Sequence, residues 1–236
     1  MNQFGRSNLR PSKISAAAAN RPWLAWLVVF IGLALSYSPL WLPRVCRGLG
    51  ITPGFEGPAN SIVWNVLAVS LLLGYVLLIE RRPVASLGLR RPQGKDLEWA
   101  LYLFGFYMAW QWAVLTFWPP AEDSGTASIT SLPVVAVAGM IVSAAVCEEI
   151  LYRGYPIERL SELTRRPWLA YVLTVPLFVA PHTVFFGPQW LWTSGIGTLA
   201  IYLLYARTRN LPACMLLHLG INLPILIPTV AHRLGG

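Results

Sequence analysis

Charge is what this chain has little of. Only 12% of its 236 residues are Asp, Glu, Lys or Arg, against 56% hydrophobic, whereas a soluble domain is about 25% charged. The shortage excludes an ordinary water-soluble fold and points to an integral membrane protein. Acids are scarcer still, 10 against 18 bases, for a net charge of +8. The bases form no amphipathic or aromatic-interleaved surface, so no nucleic-acid partner follows. They lie in the gaps between apolar runs, where they read as topology signals. Cysteine is rare and unpaired in pattern: Cys46, Cys147 and Cys214 have no CxxC spacing, so neither a disulfide framework nor a zinc knuckle is expected. Internal repeats and low-complexity tracts are missing too.

What the sequence does have is long apolar runs. A span needs about 20 mostly apolar residues, and seven stretches qualify or nearly do: Trp23 to Leu42, Ala59 to Ile79, Leu97 to Trp118, Leu132 to Tyr155, Trp168 to Phe186, Gln189 to Ala206 and Leu211 to Ala231. The expected fold is an all-α polytopic membrane bundle of about seven helices. Residues 1–21, basic and free of acid, read as a cytoplasmic tail, although a transit peptide has the same features. Trp23 to Leu42 is too long for a signal-peptide core and is expected to stay as an anchor. Residues 22–231 form a single transmembrane domain. Starting from the amino tail, alternate segments between spans hold 4, 5, 3 and 2 Lys and Arg, against 2, 0, 0 and 1 in the others. The positive-inside rule therefore puts the amino end in the cytoplasm and the carboxyl end outside. Trp and Tyr near span ends, among them Trp23, Trp118, Trp168 and Trp190, read as an interfacial belt. The Arg- and Pro-bearing segment from Glu80 to Asp96 reads as a connection.

The ionisable residues inside spans are few: Glu148, Glu149 and Arg153 in the fourth, His182 in the fifth and His218 in the seventh. Each such charge costs about 2.5–3.5 kcal/mol at mid-bilayer, so each is a functional hypothesis. Glu149 and Arg153 are four residues apart and neutralise each other on one helix face. Glu148 lies about 100° round the helix and must hold a proton or find polar company on a neighbour. Gly139, Ser143 and Cys147 form a ridge of small residues along which another helix can approach closely. Cys147 could serve as a nucleophile, but packing explains it adequately. In "HLGIN", His218 and Asn222 share a face and supply two hydrogen-bond donors, as an oxyanion site requires. In "FVAPH", Phe178 lies one turn before His182, with Pro176 and Pro181 opening the backbone ladder.

Three motifs, EExxxR in "EEILYR" at 148–153, FxxxH in "FVAPH" at 178–182 and HxxxN in "HLGIN" at 218–222, resemble the CPBP family of intramembrane glutamic proteases. These are the type II CAAX prenyl endopeptidases and their bacteriocin-processing, Abi-like relatives. The resemblance covers a catalytic core of about 132–231. It implies that Glu148 and His182 hold and deprotonate an attacking water, and that His218 and Asn222 stabilise the oxyanion. Glu149, Arg153 and Phe178 would support the site. It implies no metal and no cofactor, a lipid bilayer and a protein or peptide substrate as partners, prenylated or with a hydrophobic tail, and the cell membrane of a prokaryote. Three other readings compete. A zinc protease could use the two histidines and the glutamate as ligands; a proton-coupled transporter could use them as a relay; and the chain could be an inactive scaffold.

One geometric expectation follows. The span ends above leave Glu148 about 10 Å and His182 about 21 Å from the cytoplasmic ends of their helices, too different for partners. The fourth helix is therefore expected to continue past Pro156 toward Leu163, where "IERLSEL" keeps helical apolar spacing.

Overall fold

A computed structural model describes residues 22–51, 57–121 and 123–234; the basic tail 1–21 lies outside them. Among the described residues every regular element is a helix. The elements are α1 (Pro22–Ser36), α2 (Ser38–Gly48), α3 (Asn60–Gly74, extended by a wider turn over Tyr75–Ile79), α4 (Gly94–Phe117) and α5 (Ser124–Thr130). Then come α6 (Val134–Ser143), a widely wound stretch over Ala144–Gly154, α7 (Tyr155–Thr164), α8 (Pro167–Phe186), α9 (Ser194–Thr208), α10 (Leu211–Asn222) and α11 (Leu226–Leu234). Apolar side chains cover much of the outside, Val135, Val184, Leu78 and Ile227 among them. An apolar exterior of this kind suits lipid rather than water, and the chain is an integral, multi-pass membrane protein.

Among the described residues five helices are long and apolar enough to cross a bilayer, and six if the bent pair α1 and α2 is one span. The expectation of seven is not met, for two local reasons. The first stretch does not run straight to Leu42; it bends by 71° between Ser36 and Ser38, just ahead of Pro39 in the first turn of α2. The sixth does not begin at Gln189. Gly187, at φ +84°, opens a single 3-10 turn over Pro188–Leu191, and α9 starts only at Ser194, with 15 residues. Such a helix is about 22 Å long, short of a hydrocarbon core, but it is buried among its neighbours through Gly197, Ile201, Tyr202, Leu204 and Tyr205.

The expected continuation of the fourth helix is present: 134–164 is one run of 31 residues. From Thr164, Glu148 is then about 24 Å along the axis, and from Pro167, His182 is about 22 Å, so the two reach similar depth. The middle of this run departs from α geometry. Over Ala144–Gly154 the backbone bonds to the fifth residue rather than the fourth, as where the Tyr155 amide donates to the Ile150 carbonyl. Long stretches of that winding are rare and tend to fall at functional sites. Pro156 supplies a local cause, because it has no N–H to offer the Leu151 carbonyl one wide turn back. The buried Ser36 hydroxyl of α1 donates to that carbonyl instead. Gly32 lies on the same α1 face against Tyr155, whose hydroxyl would fall 1.7 Å from any Cβ at position 32.

The segment from Glu80 to Asp96 is more than a connection. Glu80 and Arg159 are 3% and 2% exposed. Arg159 donates from Nε to Glu80 Oε2 at 2.9 Å and Tyr155 donates to Glu80 Oε1 at 2.9 Å. Further along, the Asn210 amide donates to Asp96 Oδ2 at 3.1 Å and to the Arg90 carbonyl at 3.3 Å, while the Leu211 amide donates to the Gly88 carbonyl at 2.9 Å. Three of the four basic segments expected on one side, 80–96, 156–166 and 207–210, therefore meet at one end of the bundle. They also set the register of α10. A Cβ on Gly154 would touch Leu211 at 3.0 Å and the Leu87 carbonyl at 3.1 Å, so α10 begins level with Gly154 and His218 arrives opposite Glu149.

Because Arg159 is enclosed, replacing Glu80 by Ala leaves a buried guanidinium without its partner. The expected loss is about 3–5 kcal/mol, read as a lower denaturant midpoint in detergent or nanodiscs, with Glu162→Ala, at the exposed rim, as the mild control.

Candidate active site

Glu149 is the hub of the intramembrane charges. It is fully buried, and its Oε1 receives Arg153 Nη1 at 2.7 Å and lies 2.7 Å from His218 Nδ1. The i, i+4 pairing expected for Glu149 and Arg153 thus survives the wider winding, and the second bond ties the helix 134–164 to α10. An ionised carboxylate only accepts, so the Nδ1 of His218 carries the hydrogen and its Nε2 is left for other partners.

Arg153, also fully buried, lies between two aromatic rings, with its guanidinium carbon 4.4 Å from the centre of Phe178 and 4.3 Å from that of Tyr202. Among the described residues its Nε and Nη2 have no hydrogen-bond partner, and the ring faces supply cation–π attraction in their place. Phe178 therefore supports the charge cluster directly, as well as contributing to packing. Tyr202, on α9, was not singled out by the sequence, where it is one aromatic in an apolar helix.

On α8, His182 Nδ1 lies 2.8 Å from the Phe178 carbonyl. A carbonyl only accepts, so here too Nδ1 is the donor and Nε2 keeps its lone pair. The ring is tilted against Phe178 at 4.4 Å and stacked on Trp190 at 4.9 Å, centre to centre. Trp190 is 6% exposed and so is not part of an interfacial belt. It clamps His182 from the single turn that follows Gly187. The other tryptophans of that group, Trp23, Trp118 and Trp168, are exposed as an interfacial belt requires.

Glu148 is partly buried and makes no hydrogen bond among the described residues. Its carboxylate is within electrostatic reach of His182, Arg153, Tyr152 and Cys147, and His182 is within reach of His218. Glu148 and His182, and His182 and His218, are thus within electrostatic reach of each other across three helices. Asn222 ends α10, partly exposed and likewise without a hydrogen bond among the described residues. The small-residue ridge does not lead here: Gly139 faces Ile62 of α3, and Ser143 donates weakly to Cys147 at 3.9 Å. Among the described residues no three His, Cys, Asp or Glu side chains are grouped to hold a metal ion. Outside the cluster, a groove of about 300 Å³ runs between the helix 134–154 and α10 and is lined only by apolar residues such as Val146, Met215 and Leu219.

Residues 130–224 match the family described as Type II CAAX prenyl endopeptidase Rce1-like. All three motifs fall within that segment, which supports the CPBP, CAAX-protease resemblance on the helices that carry the cluster. The family is one of CAAX-type endopeptidases. No curated protein and no solved structure matches the chain.

Tyr202 separates ring from hydroxyl. Among the described residues its O–H reaches only the Thr174 carbonyl at 3.4 Å, so Tyr202→Phe is expected to change stability by under about 1 kcal/mol. Tyr202→Leu removes a desolvated cation–π face and should cost about 2 kcal/mol or more; thermal unfolding of the purified variants measures both.

Proposed function

We propose that the chain is an intramembrane endopeptidase that cleaves a membrane-associated protein or peptide with water activated by Glu148 and His182. The observation that carries this reading is the bond from Glu149 to His218. It brings the EExxxR and HxxxN helices together at the depth of His182, with both imidazoles held by Nδ1 and both Nε2 atoms without a hydrogen bond among the described residues.

Glu148, with no hydrogen-bond partner of its own among the described residues, is the general base. His182 presents a lone pair at Nε2, which accepts a hydrogen bond from the same water and orients it. The water oxygen attacks the scissile carbonyl carbon as one of its protons passes to Glu148. The carbonyl π pair moves onto oxygen, and the oxyanion is held by His218 and Asn222. Collapse expels the amine, which takes the proton from Glu148. A carboxylic acid and an amine leave, and the carboxylate is restored. No covalent enzyme intermediate is needed. Glu149, Arg153 and Phe178 keep His218 and the widely wound helix in place. The apolar groove beside α10 suits a hydrophobic chain, such as a prenylated or otherwise apolar tail. The basic end of the bundle faces the cytoplasm of a prokaryotic cell, with the core 132–231 carrying the chemistry.

Replacing Glu148 by Gln keeps the shape and removes the base. Hydrolysis should fall by about 10²–10⁴-fold with unfolding unchanged, and cells carrying the variant should accumulate unprocessed termini of membrane proteins. Identical termini in wild-type and variant cells would sink the protease reading. Dialysis against a chelator should leave wild-type activity intact; loss that zinc restores would instead favour the two histidines and glutamate as ligands.

A further inference from the structure

The two histidines present the same edge to the site but are held by different groups, and that difference assigns them opposite tasks. His182 Nδ1–H is bound by a neutral carbonyl, that of Phe178, at 2.8 Å, and His218 Nδ1–H by the Glu149 carboxylate at 2.7 Å. With Nδ1 so engaged, a neutral ring has only a lone pair at Nε2. A neutral His218 would therefore turn a lone pair toward an oxyanion and repel it. To donate there it must carry a second proton.

We propose that Glu149 is a positioning residue that makes His218 an imidazolium donor, while the Phe178 carbonyl keeps His182 a neutral acceptor. The chemical consequence rests on the endopeptidase reading; the protonation states do not. A carboxylate on the far nitrogen stabilises an imidazolium, as it does in a serine-protease triad. The neighbouring charges agree with this assignment. Glu149, Glu148 and Arg153 come from the helix 134–164, His182 from α8 and His218 from α10. With both carboxylates ionised, Arg153 cancels one negative charge and a charged His218 cancels the other. The enclosed set is then neutral, which a low-dielectric interior favours. A second proton on His182 would find only a neutral carbonyl at its Nδ1, where His218 has a carboxylate.

The test is nitrogen NMR on full-length protein with ¹⁵N-labelled histidine in lipid nanodiscs at neutral pH, with His218 and His182 assigned by loss of signal in His218→Asn and His182→Asn. The expected result is a His218 ring protonated on both nitrogens and a His182 ring protonated on Nδ1 alone. A His218 ring that is neutral, or that lacks the Nδ1 proton, overturns the proposal. Glu149→Gln keeps an oxygen for Nδ1–H and removes the charge. It should strip the second proton from His218 and lower kcat about 10–100-fold with KM within about twofold. A Glu149 that merely braces the helix would leave the proton count of His218 unchanged, and that result would also overturn the proposal. Should Glu149→Gln fail to fold with Arg153 unpaired, the double variant Glu149→Gln/Arg153→Met removes both buried charges and allows the same reading. Wild-type protein that shows the expected ring protonation but hydrolyses no peptide would refute the endopeptidase reading alone.

Discussion

The fully buried carboxylate of Glu149 is the constraint around which the bundle is arranged. A charge in this position is tolerable only if it is paired and its partners are themselves supported. Arg153 pairs with it from one wide turn along the same helix, and His218 from α10. Arg153 in turn needs faces to lie against, and Phe178 and Tyr202 provide them from α8 and α9. One ion pair thus draws on four helices. Every partner is within reach only when those helices take a single register, so the cost of burying the charge becomes a device for specifying the packing.

That register is fixed at the basic end of the molecule. Glu80 and Arg159 anchor the chain entering from α3 onto α7, and Asn210 and Leu211 anchor the start of α10 onto the segment 88–96. Gly154 sets the height at which α10 begins, because any larger residue would strike Leu211 and the Leu87 carbonyl. The polar ties at this end and the charge pair within the spans form one chain of cause. The first decides where α10 starts, and seven residues later His218 is opposite Glu149.

The wide winding of 144–154 has a part in this. Each residue there advances the helix face by less than the 100° of an α-helix, so both adjacent glutamates turn toward the interior, where they take different environments. Glu149 is enclosed and holds two partners on its Oε1, its buried Oε2 having none among the described residues, whereas Glu148 is left partly exposed and free of hydrogen bonds among the described residues. Two neighbouring carboxylates therefore differ in availability, one as a structural and positioning group and the other as a candidate base. Pro156 and Ser36 share responsibility, the first by withholding an N–H from the Leu151 carbonyl and the second by supplying a hydroxyl to it.

Much of this was legible in the chain. Hydropathy marked the membrane helices, spacing paired Glu149 with Arg153, and the mismatch in depth between Glu148 and His182 required the helix to run on past Pro156, as it does. What failed were the count of seven spans, the assignment of Trp190 to a belt, and the dismissal of 80–96 as a connection. Glu148, His182, His218 and Asn222 stood out because an ionisable or amide group in an apolar run is conspicuous whatever surrounds it. Tyr202, Ser36 and Trp190 did not, since an aromatic or a serine in such a run is ordinary until a neighbour is seen to need it. A sequence carries its own hydropathy, helix periodicity and local charge spacing because those depend on residues a turn or so apart. Which of two glutamates meets a histidine 69 positions away depends on helix register and winding, and only the packed structure decides that.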